Sequence, residues 1–106
     1  MAHFVMLTRV APEILKEVGD YQTLSRRVDE EIRRRCPGVK WLLNLAVLGP
    51  YDYLDVFEAA SDEEAARVSM IVRALGHATT ETWSAVPWER FKELTSELTR
   101  QQLLHR

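Results

Sequence analysis

The sequence predicts an α+β fold, an antiparallel sheet with helices on one face, from three observations. A tight Gly49-Pro50-Tyr51-Asp52 turn joins two apolar runs. Helical stripes of apolar residues alternate with short runs of strand-forming residues. In a chain of 106 residues, 46% hydrophobic and 28% charged, there is room for one core and not two.

The elements follow in order. His3 to Thr8 is a run bulky enough for a first strand. Pro12 suits the first turn of a helix. Ile14, Val18, Tyr21, Leu24, Val28 and Ile32 recur at spacings of three and four, which predicts a single helical stripe of about five turns. Cys36-Pro37-Gly38 ends it, because a proline biases the residue before it away from helix. Val39 to Leu48 and Tyr53 to Ala59 form a hairpin. Ser61 with Glu64 makes a capping box for a helix whose buried stripe is Ala65, Val68, Val72 and Leu75, with Gly76 closing it. Ala78 to Val86 is a fourth, Thr-rich strand. Pro87 opens a last helix with the stripe Trp88, Phe91, Leu94 (or Thr95) and Leu98. The order β-α-β-β-α-β plus a C-terminal helix is the ferredoxin-like arrangement. Residues 3–86 are expected to be the core of a single domain, and 87–104 the added helix.

Setting Leu48 opposite Tyr53 places Ala46 opposite Asp55 and Asn44 opposite Phe57. One face of the hairpin then carries Trp41, Leu43, Leu45, Val47, Leu54 and Val56, and is expected under the helices. The other carries Leu42, Asn44, Ala46, Leu48, Tyr53, Asp55, Phe57 and Ala59. A sheet solvated on one side alternates apolar with polar residues, and this hairpin does not. A four-stranded face covers about 350 Å² before side-chain relief. A monomer rarely exposes an apolar patch above about 300–600 Å². Two coverings are open: the sheet of a second copy, which is preferred, or the chain's own last helix through Trp88 and Phe91.

The Leu48-Gly49-Pro50-Tyr51-Asp52 segment, with Glu58-Ala59, Asp62-Glu63-Glu64-Ala65 and Thr79-Thr80-Glu81-Thr82, resembles the GYD-domain family. The ligand-binding RAM modules of Lrp/AsnC-type regulators use a similar hairpin. The resemblance implies a dimeric α/β barrel, in which two sheets meet face to face, and a ligand-contact site at the turn residues Tyr51 and Asp52. The sequence departs from the pattern at Ala60, where the family often has Pro, and the last helix lies beyond the matching part. The family carries over no activity.

Asp55 is the sharpest candidate for chemistry. Mid-strand on a covered face, a carboxylate loses solvation and its pKa rises, so it would serve as a base or hold a cation. The bland alternatives are an ion pair across the interface or a solvated position. Asn44 and Tyr53 on the same face complete an expected ligand set with Asp55, Tyr51 and Asp52; Asn44 alternatively satisfies the backbone, and Tyr51 and Asp52 alternatively only shape the turn. If the protein is an enzyme, of a cofactor-independent monooxygenase or isomerase type, Asp55 and His3 are its candidates in the inter-sheet lumen. His3, His77 and His105 lack metal-ligand spacing, so no metal is expected. The four glycines form no phosphate loop and no cofactor is expected.

Arg26-Arg27 and Arg33-Arg34-Arg35 flank Asp29-Glu30-Glu31, and Glu30–Arg34 and Glu31–Arg35 are favourable i,i+4 pairs, so the segment reads as a solvated helix face. With a net charge of −2, neither nucleic acid nor an anionic membrane is an expected partner. Cys36, the single cysteine, sits at a helix C-terminus, where the dipole disfavours a thiolate. Trp41, Trp83 and Trp88 read as packing residues; Glu81 and Trp83 share a face of the last strand that the sequence does not assign. Met1-Ala2-His3-Phe4 shows no export signal, so a cytoplasmic protein is expected. The leading expectation is an oligomeric module that binds a small molecule between subunits or serves assembly.

Overall fold

A computed structural model describes residues 1–104; His105 lies outside them. The chain runs β1 (Ala2–Val10), a 3-10 turn (Pro12–Ile14), α1 (Asp20–Arg35), β2 (Lys40–Ala46), β3 (Tyr53–Ala59), α2 (Asp62–Gly76), β4 (Ala78–Ala85) and α3 (Trp88–Leu104). The four strands form one antiparallel sheet in the order β2-β3-β1-β4, the ferredoxin-like topology. Among the described residues no helix is long and apolar enough to cross a membrane.

The first helix is shorter than its stripe. Asp20 accepts hydrogen bonds from the N–H groups of Lys16 and Glu17, both at 2.9 Å. Those bonds fold residues 16–20 into a turn, so Ile14 and Val18 lie outside α1 and are exposed. Leu24, Val28 and Ile32 keep the inward stripe, and Cys36 is buried at its end. Burial pushes the Cys36 thiol up, with the Glu64 charge adding to it. On the outer side of α1, Arg34 and Arg35 both pair with Glu31, so Arg34 takes Glu31 rather than Glu30. The two guanidiniums hold the Glu31 carboxyl below its usual value.

The second helix starts as its sequence specifies. The Ser61 hydroxyl accepts from Glu64 N–H at 3.2 Å, and the Glu64 carboxylate accepts from Ala60 N–H at 3.2 Å. Its C-terminal left-handed residue is His77 (φ 49°), not Gly76. Gly76 is instead buried where α2 approaches Val28 of α1. Across β4, Arg73 donates to the Thr80 hydroxyl and carbonyl at 2.9 and 3.0 Å, and Ser69 meets the same hydroxyl at 2.6 Å, tying α2 to the sheet.

The core lies between the sheet and the helices. Phe57 is fully buried, stacked 5.6 Å from Phe4 and tilted 5.3 Å from Trp41. Met6, Ile32, Ala59, Ala65, Val68 and Val72 complete it. Phe57, Ala59 and Asp55 therefore lie beneath the helices, and Leu43, Leu45, Leu54 and Val56 form the open face. This reverses the expected assignment. The expected register is also wrong by two: Ala46 faces Tyr53, Asn44 faces Asp55 and Trp41 faces Phe57. A bulge between Trp41 and Leu43 turns Trp41 to the covered side. Glu81 and Trp83 pair with Leu7 and Val5 and share the open face.

The last helix does not cover that face. Among the described residues it makes no substantial packing contact with another element. Trp88 and Phe91 stack on each other at 5.6 Å and remain more than half exposed, as does Leu98. The molecule is accordingly elongated, 63 × 30 × 17 Å.

Candidate ligand-binding cleft

The corrected register brings Asn44 and Asp55 side by side on adjacent strands. Asn44 Nδ2 donates to Asp55 Oδ1 at 2.7 Å. Next along each strand on the same face stand Ala46 and Tyr53. α1 packs on α2 and reaches the core through Ile32, and a wedge remains between α1 and β2–β3. The wedge is a cleft of about 420 Å³. Met6, Leu24, Val28, Ile32, Trp41 and Val72 supply apolar walls; Asn44, Asp55 and Tyr53 reach it from the sheet, and Ser25, Asp29 and Arg33 from the helix.

Electrostatics follow from that enclosure. Burial raises the Asp55 pKa; the Asn44 hydrogen bond opposes the rise, and the Asp29 charge adds to it. Burial also raises the Tyr53 hydroxyl, helped by Asp52, Tyr21 and Asp55. Among the described residues no Lys, Arg or His forms an ion pair with Asp55. Asp29 and Arg33, expected on a solvated helix face, line the cleft instead, and so does Ser25. They recur at spacings of four, each one position after Leu24, Val28 and Ile32, and that offset is the signal that marks them as the edge of the buried stripe.

The other expected site residues lie elsewhere. His3 is on the open face, 3.2 Å from Glu58, so the sheet itself separates it from Asp55 and the two cannot act together. An inter-sheet lumen would hold His3 but not Asp55, Asn44 or Tyr53. Asp52 is a pin: its Oδ2 accepts from Val10 N–H at 2.8 Å, its N–H donates to Thr8 carbonyl at 2.8 Å, and its carbonyl accepts from Val47 N–H at 2.9 Å. Tyr51 lies on the open side, where its hydroxyl donates to Glu81 and the Arg9 guanidinium sits 5.4 Å from its ring centre. The Gly49-Pro50-Tyr51-Asp52 turn thus locks the β2–β3 hairpin to both β1 and β4.

A four-stranded sheet with helices on one side only, and a hairpin turn clamped by Tyr and Asp, defines a small ferredoxin-like domain of the Gly-x-Tyr-Asp type. The chain belongs to the GYD domain family, which it matches over residues 4–95. It is similar to the "Glutamine synthetase and cystathionine beta-lyase binding protein" of Thermus thermophilus, at 29% identity over 87 residues, covering 82% of this chain and 90% of that one.

Proposed function

We propose that this protein is a non-catalytic binding module that works as an assembly of at least two copies, paired through the open sheet face, and that it takes a small molecule in the cleft beside Asn44, Tyr53 and Asp55. The observation that carries the assembly is the composition of the open face. Val5, Leu7, Leu43, Leu45, Leu54, Val56 and Trp83 form its centre. His3, Arg9, Lys40, Glu58 and Glu81 surround them. An apolar centre with a charged rim is the anatomy of a protein interface.

Area argues for the second copy and for a role of α3. A flat four-stranded face offers about 350 Å², and a stable pair needs about 800 Å² per partner. Trp88 and Phe91, each presenting more than half of its side chain, extend the apolar surface past the sheet. An aromatic side chain contributes about 150–250 Å² when buried. Only Val86 and Pro87 separate α3 from β4, so a copy seated on the sheet is within reach of both surfaces.

The Thermus thermophilus relative is named for binding two enzymes. Its likeness supports protein partners for this chain as well, reached through whatever surface the assembly leaves free. Light scattering tests the assembly. The expected mass is a multiple of 12.3 kDa at micromolar concentration, and the mass of a single chain overturns it. A thermal-shift panel of small metabolites tests the ligand; stabilisation lost on filling the cleft by Leu24→Trp supports it, and no stabilisation by any compound counts against it.

A further inference from the structure

We propose that the cleft between α1 and the sheet selects an organic cation, an ammonium group carried on an apolar body, with the Asp55 carboxylate as its anchor. The inference rests on the reading of the cleft as a ligand site and adds the chemical class.

The walls set the body of the ligand. A volume of about 420 Å³ falls within the roughly 300–1,000 Å³ of small-molecule sites. Met6, Val28, Ile32 and Trp41 present hydrocarbon to it. The polar pair sets the head. Asn44 occupies Asp55 Oδ1, which leaves Oδ2 without a donor among the described residues. Asn44 Nδ2 is the donor of that bond, so its own Oδ1 is free to accept. Two acceptors side by side suit two N–H groups of a primary or secondary ammonium.

Charge sets the sign. From α1, Asp29 and Arg33 face the cleft; from β3, Asp55 and Tyr53; from α2, only Val72 and Gly76. Arg33 makes no ion pair with Asp55 and is exposed, so it leaves the deeper carboxylate uncompensated. A partly desolvated carboxylate with a single hydrogen bond gains most from a cation that shares its enclosure. A ligand carboxylate would meet Asp55 and Asp29 as like charges.

Calorimetry on the full chain at pH 7.5 with a matched set, phenethylamine, phenethyl alcohol and 3-phenylpropanoate, reads the class directly. The amine is expected to bind at least about tenfold more tightly than the alcohol, and the carboxylate most weakly. Asp55→Asn keeps an acceptor for Asn44 and removes the charge. It should cost the amine about tenfold or more, cost the alcohol less and preserve the circular dichroism spectrum. Asn44→Ala should weaken the amine less. Amine affinity should also fall as acid protonates Asp55. Equal binding of amine and alcohol, or amine binding indifferent to Asp55→Asn, overturns the inference. Tight binding of the alcohol or carboxylate that Leu24→Trp abolishes overturns the class while leaving the cleft a ligand site. Failure of all three compounds to bind overturns both.

Discussion

The covered and open faces of the sheet differ in where they keep their polar groups. Under the helices, Phe4, Phe57 and Met6 share space with Asp55, Thr80 and Thr82, and Asn44 stands beside Asp55 on the exposed edge strand. On the open side, His3, Arg9, Lys40, Glu58 and Glu81 stand around an apolar centre. Polar groups inside a layer need partners or a cavity. Thr80 finds Ser69 and Arg73, and Asn44 and Asp55 find each other beside the cleft. Polar groups at a rim need only water. The first arrangement belongs to a face closed by its own chain around a pocket, and the second to a face closed by association.

Truncation should separate the faces most sharply. Phe57→Ala removes a fully buried ring between Phe4 and Trp41 and should cost about 3–5 kcal/mol in urea unfolding. If Leu45→Ala cost as much in a dilute, dissociated sample, the contrast would fail. Placing a charge in the open centre comes next. Leu43→Glu with Val56→Glu should drop the light-scattering mass to one chain while the far-ultraviolet spectrum persists, because like charges would face each other across a desolvated interface. A mass unchanged by both substitutions would move the interface elsewhere. Asp52→Ala should cost about 1–3 kcal/mol, since it strips the Val10 N–H of its acceptor. Tyr51→Phe, which loses only the exposed bond to Glu81, should stay within about 0.5 kcal/mol.

Smaller effects probe the covered face alone. The Thr82 hydroxyl is buried without a partner, so Thr82→Val should raise stability by about 1 kcal/mol. Asp55 gives a pH signature. Its folded pKa lies above the ordinary 3.8, so between the two values the folded chain binds more protons than the unfolded one. Stability therefore falls as pH rises through that window and stays reduced above it. Asp55→Asn lacks this term. Its melting temperature should match the parent in acid, exceed it increasingly as pH climbs through the window, and hold a constant lead at neutral pH. The opposite trend would mean that Asp55 has a cationic partner in the fold.

Much of this was legible in the chain. Ser61 and Glu64 marked the α2 start, Pro37 the end of α1 and Gly49-Pro50 the hairpin, because caps and turns are local chemistry. The orientation of the hairpin was not read from its own residues, which are apolar on both sides. Glu58 held the missing signal: it shares a side with Val56, and β1 adds His3 and Arg9 to the same side. The register slipped by two because the connection spans residues 47–52, closed by Val47 N–H donating to the Asp52 carbonyl, rather than 49–52. The early end of the first stripe turned on Asp20 bonding backward to Lys16 and Glu17.

The sequence by itself determined the element order, the caps and the surplus of apolar surface, since each depends on residues a few positions apart. Only the tertiary structure decided which face that surplus occupies, that Asn44 meets Asp55, and that α1 stands off the sheet to leave a cleft. Those depend on how bulky Phe4, Trp41 and Phe57 fit against Ala59, Ala65 and Val68 from distant parts of the chain, and steric fit between remote segments is not written in any one of them.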